Sequence, residues 1–119
     1  MAQHNDLGNR GEEAAIVFLK QKNYKIIKTN YRYLRHEVDI IAQHQNQLIA
    51  VEVKTRSSID FGNPQDFVKP VQIKSIVTAV DAFMQQNDID LEVRFDVIAV
   101  VYTNKEFKIE HIEDAFYGF

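Results

Sequence analysis

Charged residues interrupt two neighbouring aliphatic segments of the sequence in a pattern that could assemble a metal site. Glu37 and Asp39 stand in the first segment, and Glu52 and Lys54 stand in the second. Both segments are rich in valine and isoleucine, which is typical of strands. Because side chains on a strand alternate between the two faces of a sheet, each strand is predicted to turn its aliphatic and its charged residues to opposite faces. The aliphatic positions predicted to share one face of the first strand are Val38, Ile40 and Ala42.

The two segments are predicted to pair as a hairpin. A turn at Gln45-Asn46 would place Asp39 opposite Glu52 and Glu37 opposite Lys54. Cross-strand neighbours lie about 4.5–5.5 Å apart at Cβ, and directly opposed carboxylates destabilise a sheet unless a cation lies between them. Carboxylate oxygens suit Mg²⁺ or Mn²⁺, so the pair predicts a site for one of these ions. The alternative interpretation is that these are ordinary solvent-facing charges on a one-sided sheet.

Two helices are predicted from the spacing of apolar residues. The first spans residues 6–22, with Asp6 as its N-cap and Asn23 closing it. Glu12 lies on the apolar face of this helix, where a carboxylate is unusual, so Glu12 is a further candidate for the site. The second helix spans residues 70–86, beginning at a proline that suits the first turn.

The strands complete the predicted architecture. The segment 94–102 is apolar enough to be buried on both faces of a sheet. The five candidate strands are residues 24–31, 37–43, 47–55, 94–102 and an edge strand at 107–112. The order α-β-β-β-α-β, with the edge strand last, predicts an α/β sandwich. Its central sheet is expected to be mixed, because short turns join the first three strands and a helix leads to the fourth.

Composition predicts one globular domain over residues 1–119. The chain has a mass of 13.8 kDa, with 45% apolar and 26% charged residues, which excludes intrinsic disorder. It contains no cysteine, so disulfides, thiolate catalysis and cysteine-ligated zinc are excluded. No apolar run is long enough to span a membrane and no secretory signal is visible. A cytoplasmic protein without a membrane partner is therefore expected.

The charge is distributed unevenly along the chain. The net charge is −3, which by itself argues against a nucleic-acid partner. Residues 1–59 carry nine basic and six acidic residues, whereas residues 60–119 carry five basic and eleven acidic ones. The basic surplus is either a solvated face or a surface for an anionic partner. The residues predicted to bind nucleic acid are Arg32, Arg35 and Arg56.

These acidic residues and the lysine resemble the signature of the PD-(D/E)XK, or restriction-endonuclease-like, nucleases. The corresponding residues are Asp39, the run Glu52-Val53-Lys54 and Glu12. The layout is similar to that of archaeal Holliday-junction resolvases, and the chain is identified as a member of the YraN family of small bacterial proteins. The landmarks of that family stand here as Gly8-x-x-Gly11-Glu12-x-x-Ala15, Asn30-Tyr31-Arg32, residues 37–42, residues 51–56, Phe61-Gly62 and residues 94–97.

The resemblance implies a restriction-endonuclease-like three-layer sandwich and a Mg²⁺-dependent phosphodiester hydrolase. Asp39, Glu52 and the Val53 carbonyl would hold Mg²⁺ or Mn²⁺. Lys54 would orient the attacking water or stabilise the charge that builds on phosphorus. Glu12 would bind the metal through water or position a second ion. The implied substrate is nucleic acid, and the resemblance to junction resolvases makes branched DNA one candidate.

Several positions depart from the family pattern or leave its implications open. Glu37 is a candidate for the edge of the site, and Gln72 stands at that edge where a lysine is usual. Cutting both strands of a junction normally requires two-fold symmetry, so a homodimer is one expected arrangement. The alternative function is a non-catalytic module that binds nucleic acid or protein. The acidic residues that favour a protein partner in the second half are Asp81, Asp88, Asp90 and Glu92.

Overall fold

The secondary structure follows the predicted order and adds the predicted last strand. A computed structural model describes residues 6–57 and 68–118, and the side chain of Asp6 and the landmark Phe61-Gly62 lie outside this description. Asn23 ends the first helix with a φ of 69°, as predicted. The elements are α1 (Asp6–Gln21), β1 (Lys25–Tyr33), β2 (His36–His44), β3 (Gln47–Arg56), α2 (Pro70–Gln86), β4 (Glu92–Thr103) and β5 (Glu106–Phe116).

The five strands form one mixed sheet in the order β1-β2-β3-β4-β5. β3 and β4 are parallel, and every other neighbouring pair is antiparallel. Parallel neighbours need a crossover connection, which α2 supplies between β3 and β4. The predicted mixed α/β architecture is therefore confirmed.

The helices cover the two faces of the sheet, which makes three layers. Ala15 and Leu19 of α1 belong to the buried cluster on one face, and four buried residues of α2 belong to the cluster on the other. Neither helix of the described ranges is long and apolar enough to cross a membrane. The interpretation of a one-sided sheet with open charged residues is wrong, because helices pack on both faces.

The predicted alternation of side chains fails at one point in β2. Ile40 and Ala42 pack in the core cluster under α1, whereas Val38 packs in the cluster under α2. In a regular strand, residues two apart share a face, so the prediction that Val38 joins Ile40 and Ala42 is wrong. The reason is a local irregularity around Asp39. The regular pairing with β3 ends at Ile40, and Asn30 has a φ of 51° at the same level of β1.

A buried network of charged and polar side chains crosses the sheet near the turn between β2 and β3. Asp96 of β4 is fully buried and accepts hydrogen bonds from Arg94, from His111 Nε2 at 2.7 Å and from the Asp114 N–H at 3.0 Å. His111 Nδ1 lies 2.9 Å from Lys22 Nζ. Since an ammonium group can only donate, Nδ1 accepts this bond and the ring proton lies on Nε2, where it is donated to Asp96.

The arginine connects this network to other elements. Its guanidinium forms two hydrogen bonds with Asp96 of 2.8 and 2.9 Å and one with the Tyr24 hydroxyl of 2.7 Å, and it lies 3.6 Å from Glu113. Burial alone would raise the pKa of Asp96, but hydrogen bonds from His111, from Arg94 and from the Asp114 N–H lower it below its usual value. The network therefore links β4, β5 and the residues that follow α1.

Candidate active site

The register of the β2–β3 hairpin is the predicted one as far as the pairing extends, but the predicted pairs Asp39 with Glu52 and Glu37 with Lys54 lie beyond the last regular pair. Its pairs run from His44 with Gln47 to Ile40 with Val51. Beyond this point the regular pairing gives way to a side-chain contact, in which the Val53 N–H donates a hydrogen bond of 2.8 Å to Asp39 Oδ2. Asp39 is therefore held beside β3, at the end of the paired region.

Asp39 and Glu52 form a hydrogen-bonded pair of carboxyl groups. Burial raises the pKa of Asp39 above its usual value. Hydrogen bonds with the Val53 N–H and with Glu52 oppose this shift but do not cancel it. Burial, followed by the neighbouring charge of Asp39, raises the pKa of Glu52 to about 8. The two carboxyl groups titrate as a coupled pair, so the pKa of each depends on whether the other carries a proton. Two carboxylates held this close repel each other when both are ionised.

Lys54 is the cation closest to this pair. Its Nζ lies 3.4 Å from Glu52 Oε2, and both side chains are 13% exposed. Residues two apart on a strand share a face, which explains why the lysine reaches the glutamate. The positive charge lowers the pKa of Glu52 but does not cancel the opposing effect of burial.

A glycine in α1 brings Glu12 to the same place. Gly11 is buried, and a Cβ atom at this position would overlap the side chain of Thr55 on β3. The absence of a side chain therefore lets α1 approach β3 closely. Burial and the charge of Asp39 raise the pKa of Glu12 to about 7, and a hydrogen bond with Asn30 opposes the shift. Glu12 is thus within electrostatic range of Asp39, as its position on the helix suggested.

Asn30 is the site residue that sequence reasoning missed. Its side chain forms a hydrogen bond with Glu12, and its backbone adopts a φ of 51° within β1. Asparagine tolerates this left-handed conformation better than most residues. Asparagine is depleted in strands, so its presence in the middle of a strand segment was the available signal.

A pocket of about 190 Å³ lies between the hairpin and α2, with Asp39 and Glu52 on its wall. Gln72 reaches the pocket from the first turn of α2, where its Oε1 accepts a hydrogen bond of 3.1 Å from the Lys69 N–H. The pocket is lined by Arg35, Glu37, Asp39, Glu52, Gln72, Ser75 and Ile76. The structure therefore brings together the acidic residues Asp39 and Glu52. It also adds Arg35, one of the three candidate arginines, and the two candidate edge residues Glu37 and Gln72.

The other two arginines lie outside the lining of this pocket. Arg32 is exposed, and its Nη2 lies 3.7 Å from Glu37 Oε1. Arg56 is exposed at the end of β3, and its Nη1 donates a hydrogen bond of 2.9 Å to the Thr55 carbonyl. Both are placed on the surface and not against the carboxyl pair.

The donor set of the pocket fits a magnesium-type ion. Within residues 6–57 and 68–118, no group of three or more histidine or carboxylate side chains is arranged to hold a metal ion. Mg²⁺, however, is commonly bound by one or two carboxylates together with water and substrate phosphates. The N–H and C=O of a strand residue point to the same edge, so the Val53 carbonyl lies on the edge of β3 from which its N–H reaches Asp39. Two carboxylates and this carbonyl supply oxygen ligands only, as the ion prefers.

Comparison with known proteins identifies the family of the chain. The model of the family described as uncharacterised protein family UPF0102 matches residues 11–100. UPF0102 protein FP2501 from Flavobacterium psychrophilum is 60% identical over 119 residues and the whole of both chains. A UPF0102 protein from Phocaeicola vulgatus is 45% identical over 117 residues, which is 98% of this chain and 97% of the relative. These matches confirm the resemblance to the YraN family. The chain belongs to the UPF0102 family.

Proposed function

We propose that this protein is a Mg²⁺- or Mn²⁺-dependent phosphodiester hydrolase that acts on nucleic acid, with branched DNA as the favoured substrate. The observation that carries the proposal is the half-buried carboxyl pair of Asp39 and Glu52 on the pocket wall, with Lys54 3.4 Å from Glu52. Perturbed acidic groups in a cleft are typical of functional sites. A purely structural role explains the pair poorly, because two like charges in a buried position destabilise the fold.

Each side chain of the site has a role in this proposal. Asp39, Glu52 and the Val53 carbonyl would hold the cation. When bound, the cation would stabilise negative charge on the phosphate and promote ionisation of a water molecule. The ammonium group of Lys54 would orient the attacking water or stabilise charge developing on phosphorus. Glu12, held by Asn30, would position a further water molecule at the site.

Cation binding should stabilise the folded protein. Millimolar Mn²⁺ or Mg²⁺ is expected to raise the melting temperature by several degrees, because the ion binds the native state and not the unfolded chain. The substitution Asp39→Asn should abolish most of this rise. The metal-free variant should remain folded, because the asparagine side chain can still accept the hydrogen bond from the Val53 N–H. Thermal melting with and without the cation measures both effects.

The matched control for this experiment is Asp90→Asn. Asp90 is an exposed aspartate outside the pocket lining, so the variant should keep the full cation-dependent rise. A melting curve of the wild type that does not move in Mn²⁺ would contradict the metal site. So would an equal rise in the wild type and Asp39→Asn, because nonspecific binding to the acidic surface would then account for the effect.

Nucleic-acid binding should be weak and strongly dependent on salt. The chain is acidic overall, so only its local basic surface can attract phosphates. The charge reversal Arg35→Glu is expected to weaken binding of all sequences alike, because phosphate contacts carry no sequence information. Lys108→Glu, at an exposed position of β5, is the control. Titrations of branched and single-stranded DNA at several salt concentrations test this, and equal affinity at low and high salt would refute it.

A further inference from the structure

A second groove runs along α2 next to the candidate active site. It has a volume of about 510 Å³ and lies between the tip of the β1–β2 hairpin and the first turns of the helix. The residues that line it are Arg35, His36, Val71, Lys74, Ser75 and Thr78. The function proposed above assigns no role to the residues that α2 contributes to this groove.

The groove adjoins the pocket that holds the carboxyl pair. Arg35 and Ser75 line both cavities. His36 Nδ1 lies 3.0 Å from Ser75 Oγ, and this contact ties the start of β2 to α2 along the common border. The two cavities therefore share a border, with the exposed side chain of Arg35 on both sides of it.

The charges of the two cavities are opposite. Glu37, Asp39 and Glu52 line the pocket, whereas no aspartate or glutamate of the described ranges lines the groove. Arg35 and Lys74 are exposed to solvent there, so an anion can reach both side chains. The groove thus places two positively charged side chains beside the pocket. The carboxylates of the pocket repel a phosphate unless a metal ion lies between them.

The groove also has an apolar side. Val71 lines it and is 72% exposed. Leu34, the neighbour of Arg35 at the hairpin tip, is 76% exposed. Aliphatic side chains of this kind pack against sugars and bases at protein–nucleic acid contacts. Cations and apolar surface together match a nucleic-acid strand better than a simple anion.

We propose that this groove is a second phosphate subsite, in which Arg35 and Lys74 bind the backbone of the same nucleic-acid strand next to the phosphodiester at the carboxyl pair. The inference rests on the proposed function, since it assumes that a phosphodiester lies in the pocket. It also predicts the path of the bound nucleic-acid strand, which leaves the pocket past Arg35 and runs along the first two turns of α2. A substrate must therefore extend at least one nucleotide beyond the bond that is cut.

The test is the charge reversal Lys74→Glu, compared with the conservative Lys74→Arg and with Lys108→Glu as a remote control. The probe is a fluorescein-labelled oligothymidylate of ten nucleotides, titrated at several salt concentrations. Lys74→Glu is expected to weaken binding about tenfold at low salt and to lower the salt slope by about 0.7, the value for one contact to a single strand. Lys74→Arg and Lys108→Glu should bind like the wild type, and melting curves confirm that each variant is folded.

Two results would overturn the subsite. The first is equal binding by Lys74→Glu and Lys108→Glu. The second is equal competition by decaglutamate and unlabelled oligothymidylate, since the groove would then favour an acidic peptide. Cleavage of branched, flapped and single-stranded DNA by the wild type in Mn²⁺ tests the proposed function separately, because it measures product and not binding. If the wild type leaves all of these substrates intact, the hydrolase proposal fails, whereas the oligothymidylate titrations still decide the groove.

Discussion

Replacing Lys54 by alanine is expected to lower the rate of nucleic-acid cleavage by about 10²–10³, the usual effect of removing one preorganised positive or hydrogen-bonding group from a developing oxyanion. The side chain of Lys54 is largely buried and lies 3.4 Å from Glu52 Oε2, so solvent cannot replace its charge. The fold should be retained, because the lysine does not belong to either core cluster. Single-turnover cleavage with saturating Mn²⁺ measures the loss of rate.

Two other variants separate this effect from loss of the cation. Glu52→Gln removes a proposed ligand, so it should lose cation-dependent stabilisation and cleavage together. Lys28→Ala, at an exposed position of β1, should cleave like the wild type. A binding module would give a different pattern, in which the wild type shows no cleavage of branched, flapped or single-stranded substrates in either cation. In that case Lys54→Ala would weaken binding only, and the hydrolase proposal would be given up.

Replacing Asp96 by asparagine should destabilise the protein by about 3–5 kcal/mol, the usual cost of breaking a buried ion pair by removing one partner. The carboxylate is fully buried and holds Arg94, His111 and the Asp114 N–H. Asparagine leaves the guanidinium with only the half-exposed Glu113 as a counter-charge and offers an amide where His111 needs an acceptor. Urea unfolding of Asp96→Asn and of the exposed control Asp81→Asn measures the difference, and equal stability of these two variants at pH 7 would contradict the role given to Asp96.

The contribution of Asp96 should also depend on pH in a definite direction. Its folded-state pKa lies below the ordinary value of 3.8. The folded protein therefore binds this proton less readily than the unfolded chain does, and the stabilisation is present above the unfolded-state pKa. It is lost as the pH falls through the lower folded-state pKa. The stability gap between wild type and Asp96→Asn should thus be wide at neutral pH and narrow below about pH 4, and a gap that stays constant would contradict this assignment.

The elements and the hairpin register could be predicted because they depend on local patterns. Alternating aliphatic residues on either side of Gln45-Asn46 fix which residues of β2 and β3 face each other. Glu12 could be identified because the spacing of a helix places it on the buried face. The candidate acidic residues followed from these two periodicities, without any knowledge of distant contacts.

The remaining features depend on contacts that no local pattern encodes. The positive φ of Asn30 and the change of face between Val38 and Ile40 arise where three elements meet around Asp39. The apolar pattern of residues 94–102 predicts a buried strand but gives Asp96 no role. Its partner His111 lies on another strand, and the hydrogen bond between Arg94 and Tyr24 joins residues 70 positions apart.

The central position of β3 makes the candidate active site dependent on a late part of the chain. β3 carries Glu52 and Lys54, but one of its edges is covered only when β4 pairs with it, from Gln47 with Glu92 to Arg56 with Val101. Pairing between segments so far apart forms slowly during folding. Until it forms, β3 exposes a row of unpaired backbone N–H and C=O groups, which can pair with other chains. A growing polypeptide that has not yet reached β4 is therefore prone to aggregate, although most of its candidate catalytic residues have already been synthesised.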